Sequence, residues 1–403
     1  KRPIMITGTS IDAANRVSFI PAGPKNLYYV LSLNGLYNPI SVNADKPSYL
    51  KKRRNRAEYV VIAPAGLEAA AKNLADLRQN RGLETMVVEL EDIYDEFNYG
   101  IATPAAIKDF LAYAYRKWNG SGLKYVVLAG EGTYDYKNNS GNGGCLVPPL
   151  MAATPYGLFG ADNRFGDAVG NDGIPEIAVG RLPVLTGAEL QSYVDKMTDY
   201  EGSAGAWTGN VMMLADDPDE GGDFPVDSDY LATIFPLYNV DKVYLPYYST
   251  IDEARQQVLN GFDEGALLIN YIGHSGLNRL AKEGLLLTSD VAALQNGDRL
   301  PLLTAFTCLV GRYEIPNYDS LSEELVLKNN GGAAAVWAPT GASLNPQARK
   351  LAAELFKALF QGQDRVLGNA VVKAMQKYAV TFDSEPFMLA IYNLLGDPAL
   401  EIK

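Results

Sequence analysis

Two residue types that can carry covalent chemistry are scarce in this chain: its 403 residues include one histidine, His274, and two cysteines, Cys145 and Cys308. His274 stands in the segment GHSG directly after the apolar run ALLINYI, and Cys308 ends the segment PLLTAFTC, 34 positions later. A thiolate is a strong nucleophile, and a nearby imidazole favours its formation and can return a proton to a leaving amine. The pair therefore predicts nucleophilic catalysis, provided that the fold brings the two side chains together.

The spacing between the two residues matches one strand–helix–strand unit, because strands are predicted at 265–272 and 301–307. Parallel strands joined by a crossover helix end at the same edge of a sheet, about 5 Å apart when adjacent, and open α/β sheets bind ligands at that edge. We therefore expect His274 and Cys308 to lie side by side there. The backbone N–H groups of Ser275 and Cys308 are the candidates for an oxyanion hole, whereas Cys145, in a Gly-rich segment without a histidine, is expected to play no part.

Strand-like and helix-like segments alternate from residue 58 onward, which indicates a mostly parallel sheet. Predicted strands cover 58–64, 83–90, 123–130, 175–181, 210–215, 241–246, 265–272, 301–307 and 332–338. Predicted helices cover 66–82, 103–118, 187–201, 226–235, 251–260, 318–329, 346–360 and 364–378. The fold class is therefore α/β, with two subdomains at 58–205 and 206–403, each built on a mostly parallel sheet flanked by helices. Residues 1–57 are predicted as a β-rich lead-in that ends in a basic linker.

Composition excludes several classes of protein. The net charge of −12 and the pI of about 4.8 argue against a nucleic-acid-binding protein, which would carry a basic surface. No apolar run approaches the roughly 18 residues of a membrane span, and no secretory signal pattern opens the chain. Two cysteines imply no disulfide framework, and with one histidine they cannot alone form a structural zinc site.

The block YIGHSG…AFTCLVGRYE resembles the histidine and cysteine motifs of the gingipain-type cysteine peptidases, which belong to the caspase-like superfamily. In that family one strand ends in Gly-His-Gly, and a later strand ends in Ala-Cys with a glycine three residues on. The positions that match are Gly273, His274, Cys308 and Gly311. Two positions depart from the pattern, since Ser275 replaces a glycine and Thr307 an alanine. Other similar segments, including NDGIPEIAVGRLPVLTGAEL and NLLGDPALEIK, extend the resemblance over about 58–403.

The resemblance implies a caspase-like fold and a secreted or cell-surface bacterial cysteine endopeptidase that needs no cofactor for its chemistry. Its partner would be a polypeptide substrate, with no nucleic acid and no membrane insertion, and we expect a monomer. An acidic residue supports the histidine in that family, and the matching position is Glu176, with Asp172 and Asp167 as local alternatives. Gingipains cut after Arg or Lys by means of an acidic pocket residue, for which Glu189 is the candidate here. A glutamate in the first turn of a helix also complements the helix dipole without any pocket.

An acidic segment follows the strand predicted at 210–215. Its carboxylates are Asp216, Asp217, Asp219, Glu220, Asp223, Asp227 and Asp229. Oxygen-rich clusters suit Ca²⁺, so a structural calcium ion is one interpretation, although the spacing is not that of an EF-hand. A solvated acidic loop is the preferred interpretation.

Three functional hypotheses remain open at this point. The first is a secreted cysteine endopeptidase with a His274–Cys308 dyad, and the second is a transpeptidase or sortase-like processor, in which an amine replaces water at the acyl-enzyme. The third is a non-enzymatic α/β surface module whose cysteine would be sealed in the core. The basic stretch KKRRNR at 51–56 is a test of specificity, because a peptidase that cuts after Arg or Lys would cut an accessible, extended strip there.

Overall fold

The computed structural model describes residues 5–21, 23, 26–31, 35, 46–120, 122–362, 364–381 and 383–403. The chain forms two compact units, Lys1–Pro47 and Ser48–Lys403. In the first unit, the strands β1 (Ser10–Ile11) and β2 (Val17–Ser18) pair antiparallel. Much of the predicted β-rich lead-in lies outside the described residues. The predicted domain boundaries after residues 57 and 205 stay predictions.

The second unit contains all further strands and all helices of the described residues. Its strands are β3 (Tyr59–Ala63), β4 (Thr85–Glu89), β5 (Tyr125–Ala129), β6 (Met151–Thr154), β7 (Gly157–Gly160), β8 (Ala178–Leu182), β9 (Asn210–Ala215), β10 (Asn239–Tyr244), β11 (Leu268–Ile272), β12 (Ser275–Gly276), β13 (Arg279–Leu280), β14 (Leu286–Leu287), β15 (Leu302–Phe306), β16 (Ala335–Pro339) and β17 (Tyr392–Leu395). Its helices are α1 (Glu68–Gln79), α2 (Leu90–Asn98), α3 (Pro104–Lys117), α4 (Gly187–Gly202), α5 (Phe224–Ala232), α6 (Ile251–Glu264), α7 (Thr288–Val291), α8 (Leu321–Leu327), α9 (Asn345–Phe356), α10 (Leu367–Ala379) and α11 (Pro386–Ile391). Each predicted strand and helix has a counterpart among them.

Ten strands form one mixed sheet in the order β10-β9-β11-β15-β16-β17-β8-β5-β3-β4. Adjacent strands are parallel except for β16 and β17, which are antiparallel. The two sheets expected for the two halves are therefore joined into one, because β17 pairs with β16 on one side and with β8 on the other. The predicted α/β class, with a mostly parallel sheet flanked by helices, is confirmed.

Burial of alternate side chains on both faces of the strands explains why their sequences are apolar throughout. In β3, Tyr59 and Val61 pack in the core that includes α1 and α4, whereas Val60 and Ile62 pack in the core that includes α2 and α3. This is the pattern of a sheet covered by helices on both faces. Among the described residues, no helix has the length and apolar character needed to cross a bilayer.

Candidate active site

The sheet register brings the histidine and cysteine segments to the same place. Strands β11 and β15 are adjacent and parallel, and Ile272 pairs with Phe306. His274 and Cys308 each stand two positions beyond these paired residues. The predicted adjacency of the two strands, and the meeting of their carboxyl ends at one edge, are therefore confirmed.

The backbone of His274 is held on both sides by buried polar groups. Its N–H donates to Oδ2 of Asp216 at 2.9 Å, and its carbonyl oxygen accepts from the hydroxyl of Tyr271. Gly273 is required before it, because its φ is +152° and a Cβ there would lie 2.4 Å from Cβ of Asp216. Burial raises the pKa of Asp216 to about 6. These contacts turn the chain sharply after β11 and hold the His274 backbone at the sheet edge.

The imidazole ring of His274 is about half exposed, at 51%, and has two neighbours that set its orientation. Its Nε2 lies 2.9 Å from Oδ2 of Asp219, and the ring of Phe224 meets it edge-on at a centroid distance of 5.3 Å. Backbone hydrogen bonding from Gly221, together with the His274 ring, lowers the pKa of Asp219. A carboxylate on one ring nitrogen stabilises the imidazolium and leaves the other nitrogen, Nδ1, to act as base.

Cys308 lies in a tight turn and is half buried rather than sealed in the core. Its Sγ is 3.3 Å from the backbone nitrogen of Ser343, which donates to it. Burial raises the pKa of the Cys308 thiol, and the Ser343 N–H opposes that shift. A half-buried thiol disfavours the hypothesis of a purely structural cysteine. Because burial opposes ionisation, formation of the thiolate at neutral pH needs help from a base such as His274.

Side chains also connect the two segments directly. The Ser275 hydroxyl donates to the carbonyl oxygen of Cys308, so the residue after the histidine touches the turn that carries the cysteine. The predicted oxyanion-hole role of the Ser275 and Cys308 N–H groups stays a prediction.

Glu176 lies elsewhere. Among the described residues, the hydrogen-bond donors to its carboxylate are the backbone N–H groups of Ala168 and Val169, at 3.0 and 2.9 Å. Glu176 precedes β8, and three strands lie between β8 and β11 in the sheet. The two strands are therefore four spacings apart, which is about 19 Å at the usual spacing of about 4.8 Å. The structure therefore does not form the predicted hydrogen bond between Glu176 and His274, and Asp219 occupies that position.

The local alternatives to Glu176, Asp167 and Asp172, also form hydrogen bonds within their own loop. Asp167 accepts hydrogen bonds from the backbone of Asn171 and Gly173, and Asp172 accepts one from the backbone of Ile174. Both carboxylates thus stabilise the turn before β8 rather than the histidine.

Comparison with known proteins agrees with this geometry. A model of the family described as "Peptidase family C25" matches residues 52–403. The chain belongs to peptidase family C25. The resemblance to gingipain-type cysteine peptidases is thereby confirmed.

Two curated relatives of this C25 chain are gingipains of Porphyromonas gingivalis. Gingipain R2 (strain ATCC BAA-308 / W83) is 24% identical over 347 residues, which cover 84% of this chain and 42% of that protein. Gingipain R1 is 25% identical over 303 residues, which cover 72% of this chain and 27% of that protein. The chain thus spans less than half the length of these relatives.

Solved structures show the same fold. A crystal structure described as that of the "Arg specific cysteine proteinase gingipain R" aligns with a TM-score of 0.72 and 22% identity, over 91% of this chain and 80% of that chain. A complex of the pro- and mature domains of a P. gingivalis gingipain aligns equally well, over 86% of this chain. The predicted caspase-like fold of the C25 chain is confirmed by these alignments.

The pocket residue predicted for this C25 chain, Glu189, stands in the first turn of α4. Its carboxylate accepts the backbone N–H of Leu185 at 2.7 Å, and its own N–H donates to Thr186, the N-cap. Glu189 follows β8, and three strands lie between β8 and β11 in the sheet. Its contacts are those of a helix cap, and a role in substrate binding stays a prediction.

The acidic segment is only partly a solvated loop. Asp223 caps α5, and Asp227 is largely buried against α9. Carboxylate oxygens of Asp216, Asp217 and Glu283 lie within 4.8 Å of one another, a grouping with the right chemistry for a cation. Asp216 is already bonded to His274, however, and the structural calcium ion stays a prediction.

Sequence reasoning missed three residues of this site: Asp219, Phe224 and Ser343. A signal for Asp219 was available, because the acidic segment directly follows a predicted strand, and β9 proves to be the neighbour of β11. Its carboxylates therefore arrive at the same sheet edge as His274. Nothing in the sequence pointed to Ser343, which contacts Cys308 through its backbone.

Proposed function

We propose that this C25 chain is a cysteine endopeptidase in which Cys308 is the nucleophile and His274 the acid–base group. The observation that carries the proposal is the register of β11 and β15, which places the only histidine and a half-buried cysteine two positions beyond paired residues. The relatives are peptidases by name, and their fold is the same. Cleavage of a random peptide pool by the wild type but not by a Cys308→Ala variant tests the proposal.

The reaction follows from the groups present. Nδ1 of His274 accepts the Cys308 proton, and Sγ attacks the scissile carbonyl carbon to form a tetrahedral intermediate. The N–H groups of Cys308 and Ser275 are the candidates to stabilise its oxyanion. His274 then protonates the leaving amine as the C–N bond breaks, which leaves a thioester. Water, deprotonated by His274, hydrolyses the thioester and restores the thiol.

Asp219 fits the role that Glu176 was expected to play. Because its pKa is lowered, it remains ionised throughout the neutral range and stabilises the imidazolium that forms while the proton is on His274. Its hydrogen bond also engages Nε2, which leaves Nδ1 as the ring nitrogen that can exchange a proton with Cys308.

For the residue before the scissile bond, we propose Arg or Lys, received by Asp227. Asp227 accepts a hydrogen bond from Nδ2 of Asn345 at 2.8 Å, and Asn345 follows Ser343, the neighbour of Cys308, by two positions. Gly222, in the turn after Asp219, approaches Asn345 so closely that a Cβ would lie 2.3 Å from that nitrogen. Asp227 is therefore tied by contacts to both the histidine and the cysteine sides of the site, whereas Glu189 is not.

Replacement of Asp227 by asparagine is expected to lower kcat/KM for peptides with Arg or Lys before the cut by roughly 10- to 100-fold. The reason is that the cationic side chain of the substrate would lose its carboxylate partner. Peptides with a neutral residue there should lose far less, and Glu189→Gln should not discriminate between the two substrate sets. The measurement is kcat/KM on matched Arg, Lys and norleucine peptides. Because Asp227 also pairs with Arg349 at 2.6 Å, melting temperatures control for damage to the fold. Equal losses on all peptides, or a selective loss in Glu189→Gln, would reject Asp227.

The basic stretch 51–56 offers a second test of this specificity. Arg53 and Arg54 are exposed, but turns fold the stretch, and the Tyr113 hydroxyl anchors it by donating to the carbonyl of Lys51 at 2.6 Å. Peptidases bind extended segments, so we expect slow self-cleavage here in the wild type. Cleavage should be faster in Tyr113→Phe, which loses the anchor, and absent in Cys308→Ala.

Mass spectrometry of purified protein after incubation detects these cuts. An intact stretch in Tyr113→Phe, together with no turnover of Arg or Lys peptides, would overturn the basic preference and point to a different pocket.

Localisation at the cell surface or outside a bacterial cell, action on polypeptides and a monomeric state complete the proposal. The first two are supported by the gingipain relatives.

A further inference from the structure

The two positions at which this chain departs from the gingipain-type motif touch each other. Oγ1 of Thr307 donates to Oγ of Ser275 at 2.9 Å, and the Ser275 hydroxyl in turn donates to the carbonyl oxygen of Cys308. Thr307 is 3% exposed, so its hydroxyl is in the interior and not on the substrate side. A glycine and an alanine at these positions would supply neither bond. The departures therefore form one feature rather than two independent changes.

This hydroxyl pair acts on the peptide bond that follows the nucleophile. The Cys308 carbonyl oxygen also accepts from the N–H of Val310 at 2.6 Å, and the N–H of Leu309 donates to Gly341 at 3.2 Å. Leu309 has a φ of +56°, a conformation that non-glycine residues adopt only when their surroundings impose it. Both polar groups of this peptide are thus engaged, and the peptide cannot rotate without breaking those bonds. The position of Cys308 and the direction of its N–H depend on that turn.

We propose that Ser275 and Thr307 are positioning residues that tie the loop carrying His274 to the turn carrying Cys308. The inference rests on the proposed function of this site. Without the hydroxyl pair, the nearest link between the two segments is the strand pairing of Ile272 with Phe306, two positions earlier. The hydroxyl pair extends that link up to Cys308. It thereby holds the Cys308 thiol and the Cys308 backbone N–H in a fixed position relative to the loop that carries His274. Neither hydroxyl takes part in bond making.

The chemistry of a buried hydroxyl predicts how the two residues are coupled. Loss of Ser275 alone leaves the buried Thr307 hydroxyl without its acceptor, which costs more than loss of both groups together. We therefore expect Ser275→Ala and Thr307→Val each to lower kcat by about 5- to 20-fold with little change in KM, and the double variant to be no worse than the poorer single variant. Thr307→Ser keeps the hydroxyl and should retain most of the rate.

A matched control lies three residues before Thr307, within β15. Oγ1 of Thr304 donates to Oδ1 of Asn270 at 2.8 Å, a buried bond between the same two strands but away from the site. Thr304→Val should lower the melting temperature without changing kcat. If Ser275→Ala and Thr307→Val behave like this control, or raise KM instead of lowering kcat, the hydroxyl pair is merely structural and the proposal is wrong.

A second readout separates this proposal from the proposed function. Labelling of Cys308 by iodoacetamide, followed by peptide mapping to distinguish it from Cys145, needs no peptidase activity. We expect the labelling rate to rise at least about threefold in Ser275→Ala and Thr307→Val, because a loosened turn exposes the half-buried sulfur, and to stay constant in Thr304→Val. If the two variants are labelled faster while the wild type hydrolyses no peptide, the peptidase proposal is refuted and the positioning role of the hydroxyl pair is kept. An unchanged rate would overturn the positioning pair whatever the activity.

Discussion

Replacement of Cys308 or His274 by alanine is expected to lower kcat/KM for peptide hydrolysis by at least about 10³-fold while the protein still folds. Cys308 forms the covalent bond to the substrate and His274 moves the proton, so neither step has a substitute. The double variant should lose no more than the single ones, because residues that act as one unit are not additive. Steady-state kinetics with one fluorogenic peptide, beside melting temperatures, provide the measurement.

The matched control is Cys145→Ala. Cys145 is also half buried, and its Sγ accepts the backbone N–H of Thr133, in a segment without a histidine. Its loss should leave the rate unchanged. Full activity in Cys308→Ala, or inactivity in Cys145→Ala, would mean that the nucleophile has been misassigned.

Replacement of Asp219 by asparagine is expected to reduce kcat by roughly 10- to 100-fold and to shift the alkaline limb of its pH dependence to lower pH. Asparagine can still accept the hydrogen bond from Nε2 but lacks the charge that stabilises the imidazolium. The imidazolium of His274 protonates the leaving amine, so loss of the charge that stabilises it should restrict activity to lower pH. The pH profiles of kcat for the wild type and the variant give the shift directly.

Two other carboxylates serve as controls for Asp219. Glu220 is the exposed next residue and carries the same charge, so Glu220→Gln should leave the profile unchanged. Glu176→Gln should lower activity less than Asp219→Asn does. The Glu176 carboxylate accepts hydrogen bonds from the backbone N–H groups of Ala168 and Val169 and does not contact His274. A larger loss in Glu176→Gln, with an unshifted profile in Asp219→Asn, would restore the original assignment of Glu176.

The strands and the arrival of His274 and Cys308 at one sheet edge were predictable from the sequence because both follow from local patterns. Continuous apolar runs bounded by glycine and proline locate buried strands, and parallel crossover topology then sends His274 and Cys308 to one edge. The same rule could have placed Asp219, since β9 also ends there. The order of strands within a sheet is set by long-range packing, however, so the sequence did not show that β9 is the neighbour of β11.

The wrong expectation of two separate sheets has a similar cause. Strand β17 has four residues, YNLL, and directly follows the helix α11 in the largely apolar segment PFMLAIYNLL. A short buried strand cannot be told from a buried helix by periodicity alone. Its pairing with both β16 and β8 is what joins the halves, and that pairing depends on contacts distant in sequence.

Cleavage profiling on a random peptide pool tests the central claim most directly. Wild type, Cys308→Ala and Cys145→Ala are each incubated with the pool, and the new termini are identified by mass spectrometry, with and without an added amine. We expect free carboxyl termini, enriched in Arg and Lys, from the wild type and from Cys145→Ala, and none from Cys308→Ala. Products joined to the amine instead of water would indicate a transpeptidase, and termini that persist in Cys308→Ala would contradict a peptidase built on this cysteine.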